Sequence, residues 1–346
     1  MVRFGVPYQG SKNAIAKWVI GHLPPAETFV DLFCGGCAVT HVALLSGKWE
    51  RFIINDIDGR MPRLFLDSVN GKYTVDNHPE WISREEFHKR KDDDAYIAIV
   101  WSFGNNGKSY IYGADIEDFK HAYHTAVFKD DTSLLEPWGY KISSSHLEGV
   151  YDRYIEFNRQ IKQTTPSTML EVVTRQIEIE RLQSLQRLQS LQRLRSLQRL
   201  RSLQSLQSLQ RLQSLQSLQR LQSLQRLQSL QSDYQDVKIP DGAVIYCDPP
   251  YAGTDCGKYG GFDSERFYEW ARRQDNIYIS EYSMPDDFVV IASREKVVLS
   301  SANGNSQKAV ERLYTNQRTF DRMTAEQRRK IALNNAKQLN LFEVMK

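Results

Sequence analysis

A strand, a glycine turn, a helix and a second strand follow one another within the first 60 residues, and this order constrains the fold more than any other feature of the chain. The first apolar run, 28–33, ends at Cys34-Gly35-Gly36-Cys37, and a second run, 51–56, follows a helical stretch at 40–45. Strands that alternate with helices are typical of βαβ units, whose strands lie parallel. We therefore expect an α/β protein with a parallel sheet.

The alternating pattern stops near residue 61 and returns near residue 237. The stretch 61–180 contains aromatic, polar and helical segments, and we interpret it as a mostly helical region inserted between the two halves of a sheet. Residues 1–60 and 233–346 then form one domain. Its later elements are predicted as strands at 242–246, 276–279, 288–292 and 296–300, an edge strand at 308–314, and helices at 264–273 and 324–339.

A triplet array, residues 181–232, precedes the second half of the sheet: every third residue from Leu182 to Leu230 is Leu. In an α-helix, successive leucines of such a repeat drift by about 60° around the axis, so no single apolar face results. Leu, Gln and Arg nevertheless favour helix by propensity. A tight β-solenoid would place every Leu inside. We expect the solenoid, with helix as the alternative.

Positive charge is concentrated in this array. Nine of the 45 basic residues lie between Arg181 and Ser232, a stretch without acidic residues, which leaves 36 basic against 42 acidic residues elsewhere. Such asymmetry indicates an anionic partner such as nucleic acid, although a solvated basic face is the commoner meaning of a charge run.

Composition favours a globular protein, since 41% of the residues are apolar. No apolar stretch approaches the roughly 18 residues that cross a bilayer, and the N-terminus lacks the apolar segment of a signal peptide, so we expect a cytoplasmic protein without a membrane segment. Four cysteines do not form a disulfide framework in a chain of this length. Cys34 and Cys37 match the C-x-x-C spacing of metal sites but lack a second pair, so no metal site is expected.

A short loop, Cys247-Asp248-Pro249-Pro250-Tyr251, directly follows the strand-like run 242–246. The two prolines remove two backbone donors and leave carbonyl acceptors beside an acid and an aromatic ring. The Asp248 carboxylate and a proline carbonyl can accept the two hydrogens of an exocyclic amine, while Tyr251 stacks on the ring that bears it. The loop therefore indicates a site for an amino group on a base.

A ligand site is also indicated near the first strand. The glycine turn lets the backbone approach a ligand closely, and Asp56 ends the second strand about 20 residues later, where an acid can accept both hydroxyls of a ribose. The turn does not match the G-x-G-x-x-G dinucleotide fingerprint. An adenosine-bearing ligand fits this pattern, although a glycine turn and a helix-capping Asp explain it equally well.

These motifs and their order resemble the Dam-type (D12 class) DNA adenine-N6 methyltransferases of phages or bacteria. Residues 8–12 resemble the N-terminal motif of that family, 31–39 its cofactor loop, 55–56 its ribose-binding turn and 248–251 its catalytic motif. The resemblance covers nearly the whole chain except the array. The array is expected to extend the DNA-contacting surface, to act as a spacer, or to have little function.

The resemblance implies a Rossmann-like S-adenosylmethionine-dependent methyltransferase sheet, with 61–180 as the target-recognition region that binds DNA. It implies S-adenosyl-L-methionine as methyl donor without a metal, and N6 of a flipped adenine in double-stranded DNA as the target, acted on by a monomer or weak dimer. The implied cofactor-binding residues are Tyr8, Lys12, Asp31, Phe33, Gly35, Asp56 and Asp248. The implied catalytic residues are Asp248, Pro249, Pro250 and Tyr251.

A polar loop at 101–110 resembles the DNA-contacting segment of the family. Its candidate DNA-binding residues are Asn105, Asn106, Lys108 and Tyr110. Asn and Lys can contact base edges or phosphates, but the same composition also makes an ordinary turn.

Two alternatives remain open. A DNA cytosine-N4 methyltransferase faces the same problem of an exocyclic amine, although enzymes of that type more often carry Ser before Pro-Pro. A non-catalytic DNA-binding or scaffold protein would instead use the basic array, and the intact Asp248, Tyr251, Gly35 and Asp56 argue against it.

Overall fold

The structure is a computed structural model, and it describes residues 4–7, 11–138, 140, 142–143, 146–161, 163, 206–224, 227–251, 261–299 and 306–344. The chain divides into two compact units, residues 1–71 with 218–346 and residues 72–217. The first unit extends past both predicted boundaries of the catalytic domain, at residues 60 and 233. The array is divided between the two units at residue 217.

A seven-stranded sheet forms the centre of the first unit. Its strands are β1 (Thr28–Asp31), β2 (Arg51–Asn55), β3 (Leu227–Leu230), β4 (Val244–Cys247), β5 (Ile277–Glu281), β6 (Phe288–Leu299) and β7 (Ser306–Asn316). The order is β3-β2-β1-β4-β5-β7-β6, with β1 to β5 parallel and β7 antiparallel to both of its neighbours. The predicted strands 288–292 and 296–300 are one strand, β6. The predicted edge strand at 308–314 lies inside the sheet as β7, because β6 pairs along its outer side.

Eleven helices are assigned in the described part of the chain. They are α1 (Ala16–His22), α2 (Ala38–Ser46), α3 (Arg60–Val69), α4 (Arg84–Arg90), α5 (Ala95–Val100), α6 (Glu117–Lys129), α7 (150–161), α8 (Gln207–Gln216), α9 (Ser264–Arg273), α10 (Gln317–Arg322) and α11 (Ala325–Val344). Short 3₁₀ helices occur at Lys12–Ala14, Phe103–Asn105, Ser133–Trp138, Ser217–Leu224 and Tyr234–Asp236. None of the helices in these described ranges is long and apolar enough to span a membrane.

The core of the first unit lies around the central strands. Every residue of β1 and β4 is buried, as expected for parallel strands covered on both faces. Val30, Ile245 and Ile277 pack with Phe267 of α9 in one apolar cluster. This packing makes the carboxyl ends of the strands a rigid platform for the loops that follow them.

The second unit, residues 72–217, contains α4 to α8. The Trp81 ring stacks on Tyr112 at a centroid distance of 5.6 Å and meets Trp101 edge-on at 5.2 Å. Helix α4 begins with a capping box in which Ser83 and Glu86 bond each other's backbone amides. Aromatic packing and helix caps thus organise this unit.

The described part of the array, 206–224 and 227–232, forms an α-helix, a 3₁₀ helix and a sheet strand. The preference for a β-solenoid is therefore wrong for these residues, and the helical alternative holds for 207–224. Helix α8 contains only three leucines, whose drift of about 120° keeps them on one side. A 3₁₀ helix has three residues per turn, so Leu218 and Leu221 lie on one face, each 1% exposed. Array residues 181–205 lie outside the described ranges.

Candidate active site at the carboxyl ends of the parallel strands

The site lies where the connections of the sheet diverge. From β1 the chain moves outward to β2, whereas from β4 it moves to β5 on the opposite side. Ligands of open α/β sheets bind at such a switch point, outside the carboxyl ends of the strands. Asp31 ends β1, Asp56 follows β2 and Asp248 follows β4. The structure thus brings together three acids that the sequence singled out.

The glycine turn is tied to the end of β2. The amide of Gly35 donates to Asp56 Oδ2 at 2.9 Å, and the amide of Cys34 donates to the Asn55 carbonyl at 3.0 Å. Gly5 packs beneath the turn with a positive φ of 70°, and a Cβ there would lie 2.1 Å from the Gly36 carbonyl oxygen. Any other residue at position 5 would have both a strained positive φ and a clash between its Cβ and the Gly36 carbonyl oxygen. Glycine therefore allows the chain to approach the turn this closely.

Asp31 and Asp56 are carboxyl groups in a buried environment. Asp31 is 1% exposed; its Oδ2 accepts a 2.6 Å hydrogen bond from Thr40, while its buried Oδ1 has no hydrogen-bond partner in the described part of the chain. Burial raises the pKa of Asp31 to about 7, and the charges of Asp248 and Asp56 add to the shift. Burial likewise raises the pKa of Asp56 to about 6. A positively charged or hydrogen-bond-donating group beside these acids would lower their pKa values.

A cluster of four polar side chains surrounds the loop after β4. Lys12 Nζ lies 3.0 Å from Asp248 Oδ1 and 3.3 Å from Glu311 Oε1 of β7. The ammonium group also donates to the Tyr251 hydroxyl, which in turn donates to Glu311 Oε1. One ammonium group thus bridges two carboxylates, and the cluster has a formal charge of −1 when both acids are ionised.

The pKa values of this cluster follow from burial and pairing. Burial lowers the pKa of Lys12, but the charges of Asp248 and Glu311 outweigh burial and hold it above its ordinary value. Burial raises the pKa of Asp248; Lys12 opposes this shift and Glu311 adds to it. Lys12 is therefore a cation, and Asp248 is a more basic carboxylate than an exposed Asp.

The aromatic ring of Tyr251 is held from two sides. Lys12 Nζ lies 4.2 Å from its centroid, and the Tyr282 ring meets it edge-on at a centroid distance of 4.6 Å. Pro249 is buried and Pro250 is half-buried. The predicted catalytic residues therefore lie together directly after β4, next to Lys12.

Among the predicted cofactor-binding residues, Phe33 contacts other aromatic rings. Phe33 is half-buried in an aromatic group, with its centroid 5.4 Å from that of Tyr234 and 5.6 Å from that of Phe267. Phe33 therefore packs against the apolar core. An aromatic residue after a strand can have this structural role instead of binding a cofactor. Tyr8 lies outside the described residues.

The polar loop of the second unit is a closed turn. A bridge between Ser102 and Tyr110 joins its ends. Asn105 donates to the Ile99 carbonyl, and Asn106 accepts from the amides of Lys108 and Ser109.

Tyr110 does not fit the predicted DNA contact. It is 5% exposed, and its hydroxyl donates to the Ile82 carbonyl at 2.7 Å. Of the four side chains proposed for DNA contact, that of Lys108 is the exposed one.

Glu311 and Tyr282 are site residues that sequence reasoning missed. Glu311 lies within a run predicted as a strand, two residues before Leu313, and both side chains are fully buried. Residues two apart in a strand face the same side of the sheet, so an acid two residues from a buried Leu was the signal that the sequence offered. Tyr282 follows β5 and offered no comparable signal. Among the described residues, no group of three or more His, Cys, Asp or Glu is placed to hold a metal ion.

A mostly parallel seven-stranded sheet with a glycine turn and acids at its switch point is consistent with a Rossmann-like methyltransferase. Residues 8–97 match the model of the family described as D12 class N6 adenine-specific DNA methyltransferase. The resemblance to Dam-type enzymes is thereby confirmed at the family level, and the match supports an adenine-N6 DNA methyltransferase. It includes Lys12, Asp31 and Asp56, whereas the loop at 248–251 lies beyond it. No curated protein matches the chain.

Proposed function

We propose that this site transfers a methyl group from S-adenosylmethionine to N6 of a flipped adenine in double-stranded DNA. The observation that carries the proposal is the position of Asp248. Its carboxylate lies at the switch point, 3.0 Å from Lys12 Nζ and in one loop with Tyr251. An exocyclic amine needs such an acceptor to act as a nucleophile. The family matched by residues 8–97 acts on that amine and uses S-adenosylmethionine as methyl donor.

The ends of β1 and β2 fit a cationic, adenosine-bearing cofactor. Asp31 Oδ1 is a buried acceptor without a partner among the described residues, so it can receive a hydrogen bond from a ligand amine. Asp56 already binds the amides of Gly35 and Asp58, and a carboxylate has further lone pairs for ribose hydroxyls. The excess of buried acids favours a ligand with positive charge.

When bound, S-adenosylmethionine supplies an electrophilic methyl group on a positively charged sulfur. Asp248 accepts a hydrogen bond from the target amine and so localises its lone pair for attack. The Asp248 carboxylate would stabilise the positive charge that develops on N6 as the N–C bond forms and the bond from the methyl group to sulfur breaks. S-adenosylhomocysteine would then leave, and the nitrogen would release its proton to water. The amine is not accessible within a duplex, so the adenine flips out of the helix and lies against the Tyr251 ring.

Transfer of tritium from labelled cofactor to DNA tests this function. The purified protein is incubated with unmethylated genomic DNA and the cofactor labelled in its methyl group, and the DNA is then digested to nucleosides. We expect label in N6-methyl-2′-deoxyadenosine. Label in N4-methyl-2′-deoxycytidine would replace the proposal with the cytosine alternative. DNA retention without transfer would indicate a binding protein.

A further inference from the structure

The structure places a second carboxylate, Glu311, beside the predicted catalytic loop. We propose that Glu311 is a positioning residue that orients Tyr251 and shares the Lys12 ammonium with Asp248, so that Asp248 is free to bind the target amine. This inference rests on the proposed function of the site and extends it to a strand, β7, that no predicted motif contains.

Glu311 is held rigidly within the sheet. It is completely buried, and the next residue, Arg312, pairs with Glu281 at the carboxyl end of β5. Its Oε1 accepts from the Tyr251 hydroxyl and lies 3.3 Å from Lys12 Nζ. A buried carboxylate on a paired strand has little freedom, so it fixes the position of both groups that it binds.

The two contacts have different consequences. The hydroxyl of Tyr251 lies at the far end of its ring, so a hydrogen bond there sets the ring's orientation and with it the surface offered to a base. The ion pair with Lys12 matters for Asp248, because an ammonium group that bridges two carboxylates keeps a partner when one of them turns to a substrate. A buried ammonium group without a partner would be costly.

Charge balance points the same way. With Lys12 protonated, the two carboxylates leave the cluster with one net negative charge. Methylation places a positive charge on the attacking nitrogen, so a site of net negative charge stabilises it. A cluster of Lys12 and Asp248 alone would be neutral.

The pH dependence of activity can report on Glu311, because the charge of Glu311 on the neighbouring strand is one cause of the raised pKa of Asp248. Other groups act on the same carboxylate and stay unchanged in the test. Those that face Asp248 from its own and neighbouring elements are Lys12, Asp31, Asp56, Tyr246, Cys247, Tyr251 and Tyr282.

The central variant is Glu311→Gln, which keeps the shape of the side chain and removes its charge. We expect kcat to fall by about tenfold to a hundredfold because Tyr251 and Lys12 are misplaced. The KM for the cofactor should change less than kcat does, since the described contacts of Glu311 go to Lys12 and Tyr251 and not to Asp31 and Asp56, which are assigned to the cofactor's amine and ribose. The acid limb of the pH–kcat/KM profile should move to lower pH, because Asp248 loses a negative neighbour.

Glu311→Asp is the second variant. It keeps the charge but withdraws the carboxylate by one methylene group, so kcat should fall while the acid limb stays near its wild-type position. The control is Glu281→Gln on β5, the same change at a buried Glu whose described hydrogen bond goes to the Tyr282 amide. It should leave the acid limb in place. Wild-type kcat in both Glu311 variants would overturn the inference.

A measurement without turnover separates this inference from the proposed function. Lys12→Met, Glu311→Gln and the double variant are compared by denaturant unfolding, and we expect the loss in the double variant to differ from the sum of the single losses. Additive losses would overturn the sharing of Lys12. If the wild type transfers no methyl group to adenine, the proposed function fails, and this cycle still decides whether Glu311 and Lys12 are coupled.

Discussion

Lys12 and Asp248 lie far apart in the sequence, yet their side chains form an ion pair of 3.0 Å in which they are 10% and 18% exposed, respectively. Lys12 begins the first 3₁₀ helix, and Asp248 follows β4 at the centre of the sheet. The pair joins the region matched by the family model to the loop beyond it. It therefore places the cofactor side and the amine side of the proposed reaction next to each other.

Removal of the Asp248 carboxylate tests its role in the chemistry. We expect Asp248→Ala to lower kcat by at least about a hundredfold, because a charge-stabilising acceptor is lost from the reacting centre. Cofactor affinity, measured by calorimetry, should stay within a few fold. Asp241→Ala, an exposed acid that precedes β4, is the matched control and should retain wild-type turnover. Normal activity in Asp248→Ala would refute the mechanism.

Cofactor affinity is expected to rise with pH. The pKa of Asp31 is raised to about 7 and that of Asp56 to about 6, so both bind protons in mildly acidic solution. A cationic ligand prefers the ionised acids, so affinity should increase from pH 5 to pH 8 and binding should release protons below pH 7. Calorimetry in two buffers of different ionisation heat measures this release.

Two controls identify the source of the effect. Asp31→Asn should flatten the pH dependence, and S-adenosylhomocysteine, which lacks the sulfonium charge, should show a weaker one. The raised pKa of Asp31 also affects the stability of the free protein, with a pH dependence opposite to that of cofactor affinity. Since folded Asp31 binds a proton more tightly than unfolded Asp31, its contribution to stability is lost as pH rises from about 4 to 7. A pH-independent cofactor affinity would contradict the assignment of Asp31.

Arg211 of the array is expected to be structural. Arg211 is 8% exposed, and its guanidinium donates to the carbonyls of Val100 at 2.7 Å and Ser102, at the carboxyl end of α5. Arg211→Gln should destabilise the protein by about 1–3 kcal/mol, because buried carbonyls lose a charged donor. Denaturant unfolding measures the change, with Gln213→Ser on the exposed side of α8 as control. Wild-type stability combined with weaker DNA binding would instead favour a DNA contact.

Variants of Lys108 and Tyr110 should have different effects on DNA binding. Lys108 is exposed, so Lys108→Ala should weaken DNA binding and reduce the salt slope of log K by about one if it contacts a phosphate. Tyr110→Phe removes a buried hydrogen bond to Ile82 and should lower stability by about 1 kcal/mol without changing the salt slope. An unchanged slope for Lys108→Ala would exclude this contact.

Local patterns were sufficient for the first half of the sheet. Apolar runs around the glycine turn predicted β1, α2 and β2 within a few residues, because strand length, turn and helix start are all set by neighbouring residues. Helix α4 likewise begins at a capping box formed by Ser83 and Glu86, a signal contained within one turn of the sequence. The position of β7 inside the sheet was not predictable in this way, because pairing with β6 depends on a contact across a hairpin.

The array shows where periodicity alone is ambiguous. A repeat of three fits a β-solenoid, a 3₁₀ helix with three residues per turn, and an α-helix short enough that its leucines do not drift far. The apolar core of each unit, which buries Leu209 and Leu212 in one unit and Leu218 and Leu221 in the other, decides among them.

By itself the sequence determined the α/β class, the glycine turn, the acids at the strand ends and the loop from Asp248 to Tyr251, because each is a short pattern of adjacent residues. Only the tertiary structure decided that Glu311 joins Lys12 and Tyr251 and that Tyr110 is withdrawn into a core. The physical reason is that burial and ion pairing depend on which distant segments meet, and this is settled by the packing of the sheet and helices as a whole.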